Sequence, residues 1–84
     1  MTERKKYQRR TSSDEKWRKK AGNIIKAELK RKGIAYAELA ELLKAVEVDE
    51  TGLNVGNKLS RGTFSFIFAM QCFEVMGIKI IRLD

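Results

Sequence analysis

Residues 33–62 read GIAYAELAELLKAVEVDETGLNVGNKLSRG, and their spacing decides the fold. From Tyr36 to about Ala45, Leu39, Ala40, Leu42 and Leu43 share one helical face, while Glu38 and Glu41 point the other way. Val46 and Val48 anchor a short connection. Asp49 is the expected N-cap of the next helix, which runs to about Ser60 with Val55 and Leu59 as an inward i, i+4 pair. Arg61-Gly62 closes it. The outer face of this helix then holds Thr51, Asn54, Asn57 and Lys58, with Arg61 just beyond. Gly52 and Gly56 remove bulk from one side of it and permit a close backbone approach, at about 1 kcal/mol each relative to Ala.

Upstream, Ser12 and Glu15 have the spacing of a capping box, and Asp14 and Glu15 suit a helix N-terminus. The first helix is expected from about Asp14 to Lys32. Trp17, Ala21, Ile24, Ile25 and Leu29 form its inward face, with Lys16, Lys19, Lys20, Lys26 and Lys30 opposite. Gly22 interrupts it, a position suited to close packing, and Gly33 is its C-cap. Downstream, Thr63 or Ser65 caps a fourth helix that ends at Met76, with Gly77 behind it. Only Gln71 and Glu74 are polar along its length, so burial on nearly all sides is expected. The tail Ile78–Leu83, IKIIRL, is β-branched and partly alternating, which predicts a short strand. The chain therefore reads as a mainly all-α domain over residues 13–84. It has four short helices, a terminal strand and a basic N-terminal arm at residues 1–12.

Eighty-four residues allow one domain with a small core. Of its 18 Lys/Arg and 11 Asp/Glu, residues 1–32 hold 13 and 4, or +9, and residues 33–84 hold 5 and 7, or −2, which sum to the net +7. The basic excess thus lies in the first helix and the arm, where Arg4, Lys5, Lys6, Arg9 and Arg10 cluster. Such an excess attracts polyanions, of which nucleic acid is the commonest inside cells; a solubilising charge run is the plainer alternative. No apolar run suits a membrane span, and no apolar segment follows the charged N-terminus as in a secretory signal. A single cysteine, Cys72, fits a reducing cytoplasmic setting.

Catalysis is not expected. The chain has no histidine, and Cys72 lies among core residues of the most apolar helix, without a base to activate it. No metal-ligand spacing occurs, and no small-molecule cofactor is implied. The segment NVGNKLSRGT, 54–63, imitates a phosphate loop only superficially: five residues separate Gly56 from Gly62, Thr63 follows directly, and the required Lys is missing.

Gly33, Ile34, Leu39, Ala40 and Leu43 take the places of the pattern G-[LM]-[ST]-Q-x-x-L-A-x-x-L, and NKLSRG resembles S-x-[IW]-E-x-G, with Leu59 and Gly62 matched. Met76-Gly77-Ile78 resembles a closing L-G-V. Over residues 17–80 the chain thus resembles a divergent Cro/lambda-repressor-like helix-turn-helix DNA-binding domain. It departs in having Ala35 for the Ser/Thr cap, Tyr36 for a Gln that often touches DNA, and a longer connection between the second and third helices. Leu29 and Ser60 also replace an Arg and a Glu that usually pair.

The resemblance implies sequence-specific binding of double-stranded DNA by a small bacterial or phage-type transcriptional regulator in the cytoplasm, associated with the nucleoid. The third helix would enter the major groove. Tyr36, Thr51, Asn54, Asn57, Lys58 and Arg61 are the expected DNA contacts, joined by Arg4, Lys5, Lys6, Arg9 and Arg10 of the arm. A homodimer is expected through Phe64, Phe66, Ile78, Ile80 and Ile81, with the terminal strands paired, because an open strand edge is a liability. The competing expectation is a protein-interaction module that uses the fourth helix and the tail. RNA binding is weaker, for want of an aromatic stacking platform.

Overall fold

The structure, a computed structural model, describes residues 12–83. Four helices account for most of them: α1 (Ser12–Lys32), α2 (Tyr36–Leu43), α3 (Gly52–Arg61) and α4 (Phe66–Met76). A 3₁₀ turn, Lys44–Val46, continues α2 and ends at Glu47 in the left-handed region, φ 63°. The expected α-helix to Ala45 therefore tightens at Lys44, because the following valines turn back onto the core.

The core is one cluster. Ile25 and Leu29 of α1, Leu39, Ala40 and Leu43 of α2, Val55 and Leu59 of α3, and Phe68, Ala69, Cys72, Phe73 and Met76 of α4 are all buried. Val46, Val48, Ile34 and Ile78 pack at its edge, which explains the apolar residues of the connections. α2 and α3 pair extensively, α1 lies along α3, and α4 covers α2.

The crossing of α1 on α3 depends on Gly22. A Cβ there would stand 2.1 Å from the Leu59 carbonyl oxygen, so the two backbones meet with no side chain between them. The break in helical propensity is what lets α3 sit this close.

Several boundaries depart from expectation. α1 begins at Ser12; the Ser12 side chain lies outside the described residues, and Glu15 pairs with Arg18. Trp17 is not inward: it is 58% exposed, with the Lys20 ammonium 5.3 Å from its ring centre. The 21 residues of α1 span about 31 Å, far longer than the helices beneath, so its first turns project past the core. Asp49 is not the cap of α3. Thr51 Oγ1 accepts from the Asn54 amide at 3.1 Å. Ser65, and not Thr63, caps α4, its Oγ accepting from the Phe68 amide at 3.0 Å.

Two further corrections concern the C-terminal part. α4 is not buried all round; Phe66, Ile67 and Met70 are exposed, because α2 with its 3₁₀ turn and a small part of α1 cover only one side of it. The strand over 78–83 is absent. Ile78 joins the core and its amide donates to the Phe73 carbonyl at 2.9 Å. Beyond it the segment is irregular, since no described residue forms a strand against which it can pair. Arg82 and Leu83 instead line a groove of about 680 Å³ along the outer side of α1, with Lys16, Lys20 and Ile24.

Candidate nucleic-acid interface

Helical geometry orders the surface of α3. With Val55 and Leu59 buried, a rotation of about 100° per residue places Asn57 near the centre of the outward face. Leu53 and Ser60 flank it on one side and Asn54 and Arg61 on the other, and all five are exposed. The helix carries no carboxylate, and Arg61 lies in its last turn. Thr51 is exposed as well, but its hydroxyl oxygen already accepts the cap hydrogen bond.

Lys58 is drawn away from this face. Its ammonium lies 2.6 Å from Glu50 Oε2 and 4.7 Å from the centre of the Phe68 ring. Glu50 is the more enclosed partner, its side chain 14% exposed against 35% for Lys58. The cation thus spans the connection before α3 and the first turn of α4, fastening both to the last turn of α3. Beneath it lies Cys72. Burial pushes this thiol up to about 12, with the Lys58 charge pulling in the other direction, so the sulfur stays protonated and is no nucleophile at neutral pH.

Tyr36 has a different setting from a projecting contact. A Cβ on Gly56 would stand 2.9 Å from Tyr36 Cδ2, and one on Gly52 the same distance from Ala37 Cα. Both glycines of α3 therefore face the first turn of α2, and the close backbone approach they permit is taken by the chain itself. The ring stays 37% exposed and borders a hollow of about 330 Å³ shared with Lys26 and Lys30 of α1. At the C-terminal end of α3, Ser60, Arg61 and Thr63 border a hollow of about 390 Å³ with Arg18 and Glu15. Arg18 of α1 thus stands beside the C-terminal end of α3, and Lys26 and Lys30 stand beside the start of α2. α1 holds 8 Lys/Arg against 3 Asp/Glu, or +5.

The structure keeps Asn54, Asn57 and Arg61 on the outward face of α3, sets Tyr36 against Gly56 on the far flank of that helix, and turns Lys58 to Glu50. Arg4, Lys5, Lys6, Arg9 and Arg10 lie outside the described residues. Of the expected self-association residues, Phe66, Ile80 and Ile81 are exposed. Phe64 and Ile78 are committed to the fold: the rings of Phe64 and Phe68 lie 5.9 Å apart at 56°, and Ile78 packs on the core. Sequence reasoning missed Leu53, which is out of phase with Val55 and Leu59 and is 75% exposed. That phase was the signal. It also missed Lys26 and Lys30, because only tertiary packing brings them beside Tyr36.

Among the described residues no group of His, Cys, Asp and Glu could hold a metal ion, and no helix is long and apolar enough to cross a membrane. No curated protein and no solved structure matches the chain. Residues 17–81, from the exposed Trp17 to the irregular tail, match one family along their whole length. The chain belongs to the family described as domain of unknown function (DUF6471).

Proposed function

We propose that this chain binds double-stranded DNA in a sequence-specific manner, as a small helix-turn-helix transcriptional regulator that occupies its operator with α3 in the major groove. The observation that carries this reading is the outer face of α3, with Asn54, Asn57 and Arg61 exposed on a helix without a carboxylate. Asn pairs with the N6/N7 edge of adenine, and Arg reads guanine or neutralises phosphate. Arg18 beside the end of α3, and Lys26 and Lys30 beside Tyr36 at the start of α2, suit contacts to the phosphate backbone. The arm residues Arg4, Lys5, Lys6, Arg9 and Arg10 add salt-dependent affinity.

A two-fold homodimer fits this function, since two copies of α3 about 34 Å apart would meet successive major grooves. Phe66 with Ile80 and Ile81 supplies its apolar contact. Sedimentation that gives a monomer at high micromolar concentration removes the dimer from the proposal.

The test of DNA binding is fluorescence anisotropy with random and genomic duplexes at two salt concentrations. Salt-dependent binding with a preferred sequence is expected, and Asn57→Ala is expected to weaken both affinity and preference. Absence of binding at low salt overturns the reading. It would favour a protein-interaction module instead, for which the exposed Phe66, Ile67 and Met70 of α4 are the supporting observation.

A further inference from the structure

Leu53 is the one strongly apolar side chain on the outward face of α3, and it is 75% exposed. Single exposed aliphatics are common on protein surfaces, so exposure alone carries no argument. Position does. Leu53 lies one turn before Asn57, on the same stripe, in the N-terminal half of a helix that has amides, a serine and a guanidinium on the rest of that face. Its neighbour Gly52 has no side chain to shield it, and the side chain of Asn54 points to the other flank. The face has no carboxylate, Arg61 closes it, and Arg18 of α1 borders its C-terminal end, so its charge complements a polyanion.

In a major groove, the distinctive apolar feature on a base edge is the 5-methyl group of thymine. We infer that Leu53 is a specificity-determining residue that packs against a thymine methyl while Asn57 pairs with an adenine nearby. The inference rests on the DNA-binding reading above. One helical turn between the two side chains rises about 6 Å. Base pairs stack about 3.4 Å apart, so the two contacts fall within about two base steps of each other. The target class is therefore a short A·T-containing element, read at one position by an amide and at another by an isobutyl group.

The experiment uses the full chain and a duplex selected with it from a random 25-bp library, which is then resynthesised with deoxyuridine replacing each thymidine in turn. Deoxyuridine pairs as thymidine does but lacks the methyl group. For the wild type, one substitution is expected to weaken binding about fourfold, the transfer value of one buried methyl. Leu53→Ala is expected to remove that difference while keeping the far-ultraviolet circular dichroism of the wild type, because the side chain takes no part in the core. Asn57→Ala is expected to keep the difference at lower overall affinity.

A selected duplex that tolerates deoxyuridine at every thymidine overturns the inference and leaves DNA binding standing. So does Leu53→Ala that retains the wild-type penalty, or that instead abolishes self-association in sedimentation. Failure to select any duplex overturns this inference and the DNA-binding reading together.

Discussion

Gly22→Ala tests the seating of α3 on α1. A methyl group at residue 22 would meet the Leu59 carbonyl oxygen at 2.1 Å, and the Leu59 carbonyl carbon at 3.2 Å. Ordinary contact begins at 3.4 Å, so the two helices must separate by about 3.4 − 2.1 = 1.3 Å. The obstacle is helix backbone, which cannot rotate aside as a side chain can. Along this seam Ile25 and Leu29 pack with Val55 and Leu59 in the buried cluster, and a gap of about 1 Å already forfeits up to half of a dispersion contact. Forced overpacking of this kind costs up to about 3 kcal/mol. Alanine returns about 1 kcal/mol through helix propensity. The net loss is about 2 kcal/mol, a fall in Tm of roughly 8–16 °C for a domain of this size. Thermal unfolding followed at 222 nm measures it, with urea midpoints as a second readout. Gly33→Ala serves as the comparison: nothing lies within 4 Å of its added Cβ, and only its φ of 69° opposes the change. A Gly22→Ala protein that melts at or above the wild-type temperature would falsify the close crossing of α1 and α3.

Four other outcomes follow from named contacts. Thr51→Ala is expected to lose about 1 kcal/mol in urea unfolding through the vacated cap, whereas Asp49→Ala changes little; a reversed order would restore Asp49 as the cap. Lys58→Met strands the enclosed Glu50 carboxylate and is expected to cost about 1–3 kcal/mol, while the double variant with Glu50→Gln recovers part of it; additive losses would mean the two side chains are not coupled. If Lys58 serves as this internal tie, Lys58→Met leaves the salt slope of DNA binding unchanged, whereas loss of a phosphate contact lowers it by about 1. Cys72 predicts a pH effect. Its thiol is raised from 9.0 to about 12 in the folded chain, so above pH 9 the unfolded chain releases a proton that the folded one keeps. Stability present below pH 9 is then lost as pH rises, by up to about 1.4 kcal/mol per pH unit. Cys72→Ala should flatten the decline relative to wild type in urea midpoints taken at successive pH values, and identical slopes would contradict burial of the thiol.

The local signals in the sequence were enough for the helices. Apolar spacing around Leu39–Leu43 and Val55–Leu59, with stop glycines at 33, 62 and 77, located α2, α3 and α4 to within a few residues, because helix periodicity and left-handed caps are properties of a few neighbouring residues. The same spacing marked the outward face of α3 with Asn54 and Asn57.

What local signals could not supply was the partner of each side chain. Asp49 and Thr51 are both competent caps, and the helix starts after Thr51, where Gly52 meets Ala37 of α2. Lys58 reads as a surface cation until Glu50, eight residues earlier, and Phe68, ten residues later, are folded around it. Trp17 reads as core until the length of α1 carries it past the bundle. The sequence IKIIRL has the composition of a strand, but a strand exists only when another lies beside it to take its hydrogen bonds. Periodicity is written within one turn of helix; pairing is decided by surfaces that meet only after the chain has closed.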